Sequence, residues 1–483
     1  MDNAARDPQA PATSADASVR ELVARARAAQ REYDRFSQEQ VDEVVTAVAW
    51  TVVDAENNRG LARLAVRETG LGNIEDKIVK NRRKTMGLLR DLRGVRSVGV
   101  IADYPDLGIV EIARAAGVVG AIVPSTNPVA TPYNKTLNAL KGRNAVILAP
   151  SPKGQVVCEQ VVKLMRQALR QVGAPADLVQ QLPRPVSKQA TQALMAQVDL
   201  VVATGSQNNV RAAYQSGTPA IGVGAGNVPV IVDESADLNS AAPRIAASKT
   251  FDNATSCSSE NSLIVLDAVY APMLQALQEA GGILLSTEEK TRLQQVLWVN
   301  GRLNRELVAQ PAVRICDLAG LEWSGVREPR FLMVEEQGVG ADFPFSDEKL
   351  SPVLAVYRAR DFDAACELAL QILSFKGAGH SVGLYSSDDA HALRLGLELP
   401  VCRVIVNQAH CFATGGSFDN GLPFSLSMGC GTWGGNSISE NLNYRHYLNI
   451  TRISRAIPAR EPSEAELFGA YWTKYGITPE QDQ

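Results

Sequence analysis

The sequence predicts an α/β protein built from two parallel-sheet domains with a cleft between them. Two observations carry this expectation. From Gly117 to Asp233, short β-branched runs alternate with stretches of helical periodicity, and a second such series runs from Ser262 to Asn407. A third observation bounds it: 483 residues with 45% hydrophobic and 21% charged side chains suit an ordinary globular chain of about three domains at roughly 150 residues each.

Residues 1–17 contain no Val, Ile, Leu or aromatic side chain, so they cannot supply the apolar stretch of a signal peptide and are expected to form a disordered tail. Order is expected from Ser18, where Ser18-Val19-Arg20-Glu21 has the form of a capping box and Val19, Leu22, Val23, Ala26 and Tyr33 share a helical face. A second box, Ser37 to Gln40, opens a helix carrying Val41, Val44, Val45 and Val48.

The first series reads as strands at Gly117–Pro124, Asn144–Pro150, Asp199–Gly205 and Val228–Asp233, with helices at Tyr133–Lys141, Gln155–Val172 and Ser187–Gln197. The second has strands at Ser262–Asp267, Phe331–Glu335, Val353–Arg358, Ser381–Ser386 and Arg403–Asn407. Helices at Pro272–Ala280, Asp361–Leu373 and Asp388–Glu398 lie between them. Gly415–Gly435 is too irregular for an element and reads as a loop wall. Parallel sheets bind ligands at the carboxyl ends of their strands.

Composition also excludes. Forty-eight Lys and Arg against 52 Asp and Glu give a net charge of −4 with no dense cationic run, so nucleic acid is not an expected partner. Seven scattered cysteines without a CxxC pair fit neither a disulfide framework nor a zinc site, and a reducing compartment is expected. No apolar run reaches the ~18 residues that cross a bilayer, so no membrane partner is expected and a cytoplasmic location is.

Two features carry chemistry. At Thr204-Gly205-Ser206 a strand meets a helix, placing free N–H groups toward a possible phosphate, although short βα turns also use Gly and Ser for conformational reasons alone. Gly222-Val223-Gly224-Ala225-Gly226 has the wrong spacing for the GxGxxG fingerprint and precedes a strand, which argues against an ordinary Rossmann dehydrogenase. Cys257 stands in the polar stretch Phe251 to Glu260, where a thiolate can be held; Cys411 and Cys430 are weaker candidates, and Cys158 and Cys366 sit in apolar helical settings. His380 stands where a loop enters a strand, whereas His391 and His446 read as solvated.

The blocks Pro124-Ser125-Thr126-Asn127-Pro128, Gly222 to Pro229, Phe251 to Ser262, Glu348-Lys349-Leu350-Ser351-Pro352, Gly379-His380 and Gly429 to Ser437 occur in the order found in CoA-acylating aldehyde dehydrogenases, which the chain resembles from about Ser18 to Ile457. The resemblance implies an aldehyde dehydrogenase-like fold: a cofactor-binding domain over 18–236, a catalytic domain over 237–430, a return and oligomerisation segment over 431–460 and a tail over 461–483. It also implies a projecting hairpin at 97–113 and a late strand within Tyr444 to Ser454 that pair subunits into a homodimer or homotetramer.

By the same resemblance Cys257 is the nucleophile, Asn127 and the Cys257 backbone N–H hold the oxyanion, and His380 has acid/base duty or only orders its loop. The cofactor site would draw on Ser125, Pro150, Ser151, Lys153, Thr204, Gly205, Ser206, Gly224, Glu348 and Pro352, with Glu348 on the nicotinamide ribose. Hydrolytic relatives carry a glutamate where Val223 aligns, so coenzyme A is expected to take the acyl group. NADP or NAD is the expected cofactor, with a lean to NADP because Pro152 and Lys153 stand where NAD-preferring relatives often place an acid. The expected substrate is a small aldehyde. The likeness points to sulfoacetaldehyde, with acetaldehyde, propanal or succinic semialdehyde as alternatives and a non-catalytic dinucleotide-binding assembly protein as a third reading. The candidate loops Asn253–Ser256 and Phe412–Gly421 hold no Arg or Lys for a sulfonate, which leaves a residue elsewhere, such as Arg114 or Arg403.

Overall fold

The computed structural model describes residues 14–224, 226–322 and 328–478. Four helices open the chain: α1 (Ser14–Tyr33), α2 (Gln38–Val53), α3 (Ala55–Thr69) and α4 (Ile74–Leu92). α1 starts one turn before the expected Ser18, because Ala15 and Ala17 are strong helix formers and Asp16 suits the positive end of the helix dipole. Residues 1–13 of the expected tail lie outside the described residues. At α2 the second box forms as read, with Ser37 and Gln40 capping each other.

A hairpin follows, β1 (Gly99–Tyr104) and β2 (Ile109–Ala115). Five parallel strands come next: β3 (Val118–Val123), β4 (Ala145–Pro150), β5 (Val179–Gln181), β6 (Leu200–Thr204) and β7 (Ala220–Val223). The helices α5 (Ala130–Lys141), α6 (Gln155–Gln171), α7 (Lys188–Gln197) and α8 (Gln207–Tyr214) separate them, and the strands line up as β5-β4-β3-β6-β7.

The second sheet holds β8 (Val228–Val232), β9 (Glu260–Leu266), β10 (Gly282–Leu284), β13 (Phe331–Glu335), β14 (Val353–Ala359), β15 (Val382–Tyr385) and β16 (Val404–Val406), with a small hairpin β11 (Trp298–Val299) and β12 (Arg302–Leu303) between β10 and β13. Its strands are parallel in the order β10-β13-β14-β9-β8-β15-β16. Around it pack α9 (Leu238–Thr250), α10 (Tyr270–Glu279), α11 (Thr287–Leu297), α12 (Ala312–Ala319), α13 (Phe362–Phe375) and α14 (Asp389–Glu398), and a short α15 (His410–Ala413) follows. The last elements are β17 (Leu448–Ser454), which pairs with β2, and α16 (Glu464–Tyr475), an exposed helix inside the expected tail.

Val228–Val232 belongs to the second sheet, not to the first series with which its position groups it. Parallel strands buried on both faces look alike in sequence, so nothing local tells one sheet from the other. The first sheet therefore ends with β7 and the second begins with β8. Phe424, Leu442 and Tyr447 return to pack into the first core. No helix among the described residues is long and apolar enough to cross a membrane.

Candidate active site

A cavity of about 680 Å³ opens between the carboxyl ends of the first sheet's strands and the amino ends of β8, β9 and β14 in the second. Ser125, Asn127, Ser151, Lys153, Thr204, Gly205, Ser206, Gly224, Cys257 and Glu348 all line it. Asn127 stands in the loop between β3 and α5, and Thr204 ends β6. Gly205 takes φ 137°, which a side chain would strain, and this bend lets Ser206 cap α8 through a hydrogen bond from the Asn209 N–H. Sequence reasoning missed Arg305, Val308, Leu350 and Leu426 on the same walls. Pro150 and Pro352 do not line the cavity: Pro150 ends β4, and buried Pro352 precedes β14.

The cysteine loop is bent by three successive residues in the left-handed region, Asp252 (φ 50°), Asn253 (φ 51°) and Ala254 (φ 58°). Such residues cost about 1–3 kcal/mol each, so surrounding contacts must hold them. Asp252 supplies these contacts from a fully buried position. Its Oδ2 accepts from Lys77 Nζ at 3.0 Å, Lys80 Nζ at 2.5 Å and the Thr255 hydroxyl at 2.9 Å. Oδ1 accepts from the Asn73 N–H at 3.0 Å, and the Asp252 N–H donates to Asp76 at 2.7 Å. Burial pushes its carboxyl up, but Lys80 and Lys77 outweigh that and hold it below the ordinary range.

Cys257 is half-buried. Its thiol is pushed up to about 12, first by burial, then by Glu348 and Cys430, against a lowering backbone hydrogen bond and Arg403. Glu348 is pushed up to about 8, chiefly by burial, with Lys376 pulling the other way, and it takes a hydrogen bond from the Gly226 backbone. At neutral pH it is mostly uncharged.

His380 does not line the cavity. It is 1% exposed, and a Cβ on Gly226 would lie 3.0 Å from its ring and 2.3 Å from the Cys257 carbonyl oxygen. Gly226 thus fits only as glycine between the histidine and the cysteine loop. Burial, then Arg403 and His410, hold the imidazole well below its usual range, so it is neutral; its Nδ1 pairs with the Ser381 hydroxyl at 2.7 Å. His410, also buried, takes part in the loop through its Nδ1, 2.9 Å from the Ser258 carbonyl. His391 and His446 are not simply solvated: His391 pairs with Asp233 at 2.8 Å and His446 with Glu440 at 2.9 Å.

A second cavity, of about 30 Å³, shares Asn127, Ser256, Leu426 and Met428 with the first. The loops flagged in the sequence do contribute Ser256, Phe412 and Gly415, but its cations, Lys80, Arg83 and Lys84, come from α4. Arg403 is not among its walls: it is buried and donates to Asn441 and to the carbonyls of His380, Gly429 and Ser439. Arg114 lies exposed on β2. The spacing of positions 80, 83 and 84 on one side of a helix was the available signal for this wall.

Residues 7–284 match the aldehyde dehydrogenase family. The chain is 61% identical over 469 residues to a sulfoacetaldehyde dehydrogenase (acylating) of Cupriavidus necator, covering 97% of this chain and 95% of that one. Its fold is similar to an acetylating aldehyde dehydrogenase from Geobacillus thermoglucosidasius, with TM-score 0.89, 35% identity and coverage of 93% and 98%. It is also similar to a propionaldehyde dehydrogenase of Rhodopseudomonas palustris solved with bound CoA and an acylated cysteine, with TM-score 0.82, 25% identity and coverage of 90% and 97%. A bent cysteine loop facing an asparagine across a cavity at the ends of two parallel sheets, together with these likenesses, means that the chain belongs to the aldehyde dehydrogenase family.

Proposed function

We propose that the protein oxidises sulfoacetaldehyde with a nicotinamide dinucleotide and transfers the acyl group to coenzyme A, giving sulfoacetyl-CoA. The observation that carries the reading is that Cys257 and Asn127 share one cavity with Ser206 and Glu348. The walls suit a dinucleotide: the capped start of α8 offers N–H groups to a phosphate, and Lys153 adds a cation at the rim. Thr204, Gly205 and Ser206 would hold the pyrophosphate, Glu348 the nicotinamide ribose and Lys153 a ribose 2′-phosphate, which favours NADP. When bound, the nicotinamide supplies a hydride acceptor.

Having released its proton to solvent in the open cavity, Cys257 adds through Sγ to the aldehyde carbon, and the carbonyl π pair moves to oxygen. The Asn127 amide and the Cys257 N–H stabilise that oxygen, each worth roughly 2.7–4 kcal/mol. Loss of hydride leaves an acyl thioester on Cys257. Among the described residues two positions where a base for water could stand offer none at neutral pH, since Val223 is an apolar residue buried at the end of β7 and Glu348 is mostly protonated and bonded to Gly226. The thiolate of coenzyme A therefore attacks the acyl carbon, and Cys257 leaves as thiolate. His380 orders the loop from behind Gly226 and does not exchange protons with substrate.

Subunits would pair through the β1-β2-β17 sheet, whose Val100, Tyr104 and Ile453 are exposed. The deciding experiment measures kcat/KM for sulfoacetaldehyde, acetaldehyde, propanal and succinic semialdehyde, with each nicotinamide cofactor and with and without coenzyme A. Sulfoacetaldehyde leading the panel, with steady-state turnover only when coenzyme A is present, is the expected result. Turnover sustained by water alone would refute acyl transfer to the thiol.

A further inference from the structure

The smaller cavity beside Cys257 has an unusual charge balance. Lys80 is saturated: its three protons go to Asn127 Oδ1 at 3.0 Å, Asp252 Oδ2 at 2.5 Å and the Thr255 hydroxyl at 2.9 Å. Its neighbours on α4 are not. Among the described residues Lys84 Nζ donates only to the Gly415 carbonyl at 2.7 Å, leaving two of its three protons without an acceptor there. Arg83 donates to the Phe412 carbonyl at 3.3 Å and the Ser417 hydroxyl at 2.7 Å, leaving three of five.

Among the described residues neither cation has a direct ion-pair partner, and the exposed Asp419 reaches Arg83 only through the Ser417 hydroxyl, which accepts from Arg83 and donates to Asp419. Burial and the neighbouring Arg83 bring the Lys84 ammonium down to about 7. Aromatic faces supply part of the missing countercharge: Phe424 lies 5.5 Å from Lys84 Nζ and 5.5 Å from the Arg83 guanidinium, with Phe412 at 5.3 Å from the latter. Two partly buried cations with spare donors and no carboxylate in direct contact are costly unless an anion arrives.

We propose that Lys84 and Arg83 form the anion-binding end of the aldehyde pocket, receiving the sulfonate while the aldehyde carbon reaches Cys257. The inference rests on the substrate reading above and names the residues that select for it. Size agrees, because about 30 Å³ admits roughly two water-sized groups, the scale of a charged head and far less than a nicotinamide ring. Position agrees too, since the pocket shares with the larger cavity Asn127 and Ser256, the latter next to the nucleophile in sequence. A sulfonate presents three oxygens, which suits a guanidinium fork and an ammonium approaching from two sides better than a planar carboxylate does.

The test compares wild type with Lys84→Met and Arg83→Met, reading the ratio of kcat/KM for sulfoacetaldehyde to that for propanal, a similar aldehyde without the anion. The ratio is expected to fall about 10- to 100-fold in either variant, mainly through KM for sulfoacetaldehyde. Ethanesulfonate gives a second readout independent of catalysis: it should raise the melting temperature of wild type and not that of Lys84→Met. Lys84→Gln, which can still donate to the Gly415 carbonyl, replaces the methionine variant if that proves insoluble. An unmoved ratio in both positions, with wild type active on sulfoacetaldehyde, overturns the anion end and leaves the substrate standing. Wild type inactive on sulfoacetaldehyde but protected by ethanesulfonate in a Lys84-dependent way supports the anion end and sinks the substrate.

Discussion

Lys80 Nζ lies 3.0 Å from the side-chain oxygen of Asn127. An ammonium can only donate, so this contact fixes the carboxamide with its oxygen toward α4 and its NH₂ turned away, leaving a donor free for a developing oxyanion.

Asn127→Ala should therefore lower kcat about 100- to 1000-fold, the usual loss for one such donor, with a smaller change in KM. Lys80→Met should lower kcat in the same direction by freeing the carboxamide to flip. Steady-state kinetics with both variants checks this, and a change confined to KM would contradict the orientation argument.

Cys257→Ala should lose at least about a thousandfold in turnover while keeping the wild-type melting temperature, because a half-buried thiol contributes little packing. Intact-mass measurement after incubation with aldehyde and oxidised cofactor, without coenzyme A, should show acyl addition to wild type and none to the variant.

Glu348 sets the pH response of the thiol. Its carboxyl ionises around pH 8, and once charged it pushes the Cys257 thiol further up, so wild-type thiolate grows slowly with pH. Glu348→Gln removes that charge. At pH 9 its Cys257 should react with iodoacetamide severalfold faster than wild type, and at pH 6, where Glu348 is neutral in both, the rates should converge.

Asp252→Ala strips the countercharge from Lys77 and Lys80 and releases the bent loop. Removing one partner of a buried ion pair costs about 3–5 kcal/mol, so denaturant midpoints should fall markedly. Because the Asp252 carboxyl is depressed in the folded state, its contribution is present above the unfolded carboxylate range and is lost as pH falls through the folded value. The gap between variant and wild type should narrow in acid.

Lys153→Ala should raise KM for NADP about tenfold while moving KM for NAD little, since only NADP places a phosphate near that ammonium. Equal effects on both cofactors would assign Lys153 to the shared part of the dinucleotide instead.

The alternating parallel strands were legible in the sequence because strands buried on both faces are long apolar runs and their crossover helices carry the 3.6 period. Val118–Val123, Ala145–Pro150 and Phe331–Glu335 form within a residue or so of where the runs suggest. Cys257 stood out by its polar setting. What was not legible was contact between distant segments: Arg83 and Lys84 of α4 meet Ser417 and Gly415 only where the loop after α15 folds over them. The pairing of β8 with β15 and the place of His380 behind Gly226 likewise depend on neighbours more than a hundred residues away.

The second sheet is an insertion between two parts of the first body, whose core is completed by Phe424, Leu442 and Tyr447. During biosynthesis the N-terminal sheet thus leaves the ribosome with apolar surface still uncovered. At ~5–20 residues per second the sealing segment follows roughly 10–40 s after β8 is made. The nascent chain must stay shielded over that interval, which makes the N-terminal half a natural client for a chaperone and makes truncation after the second sheet an aggregating product, not a smaller enzyme.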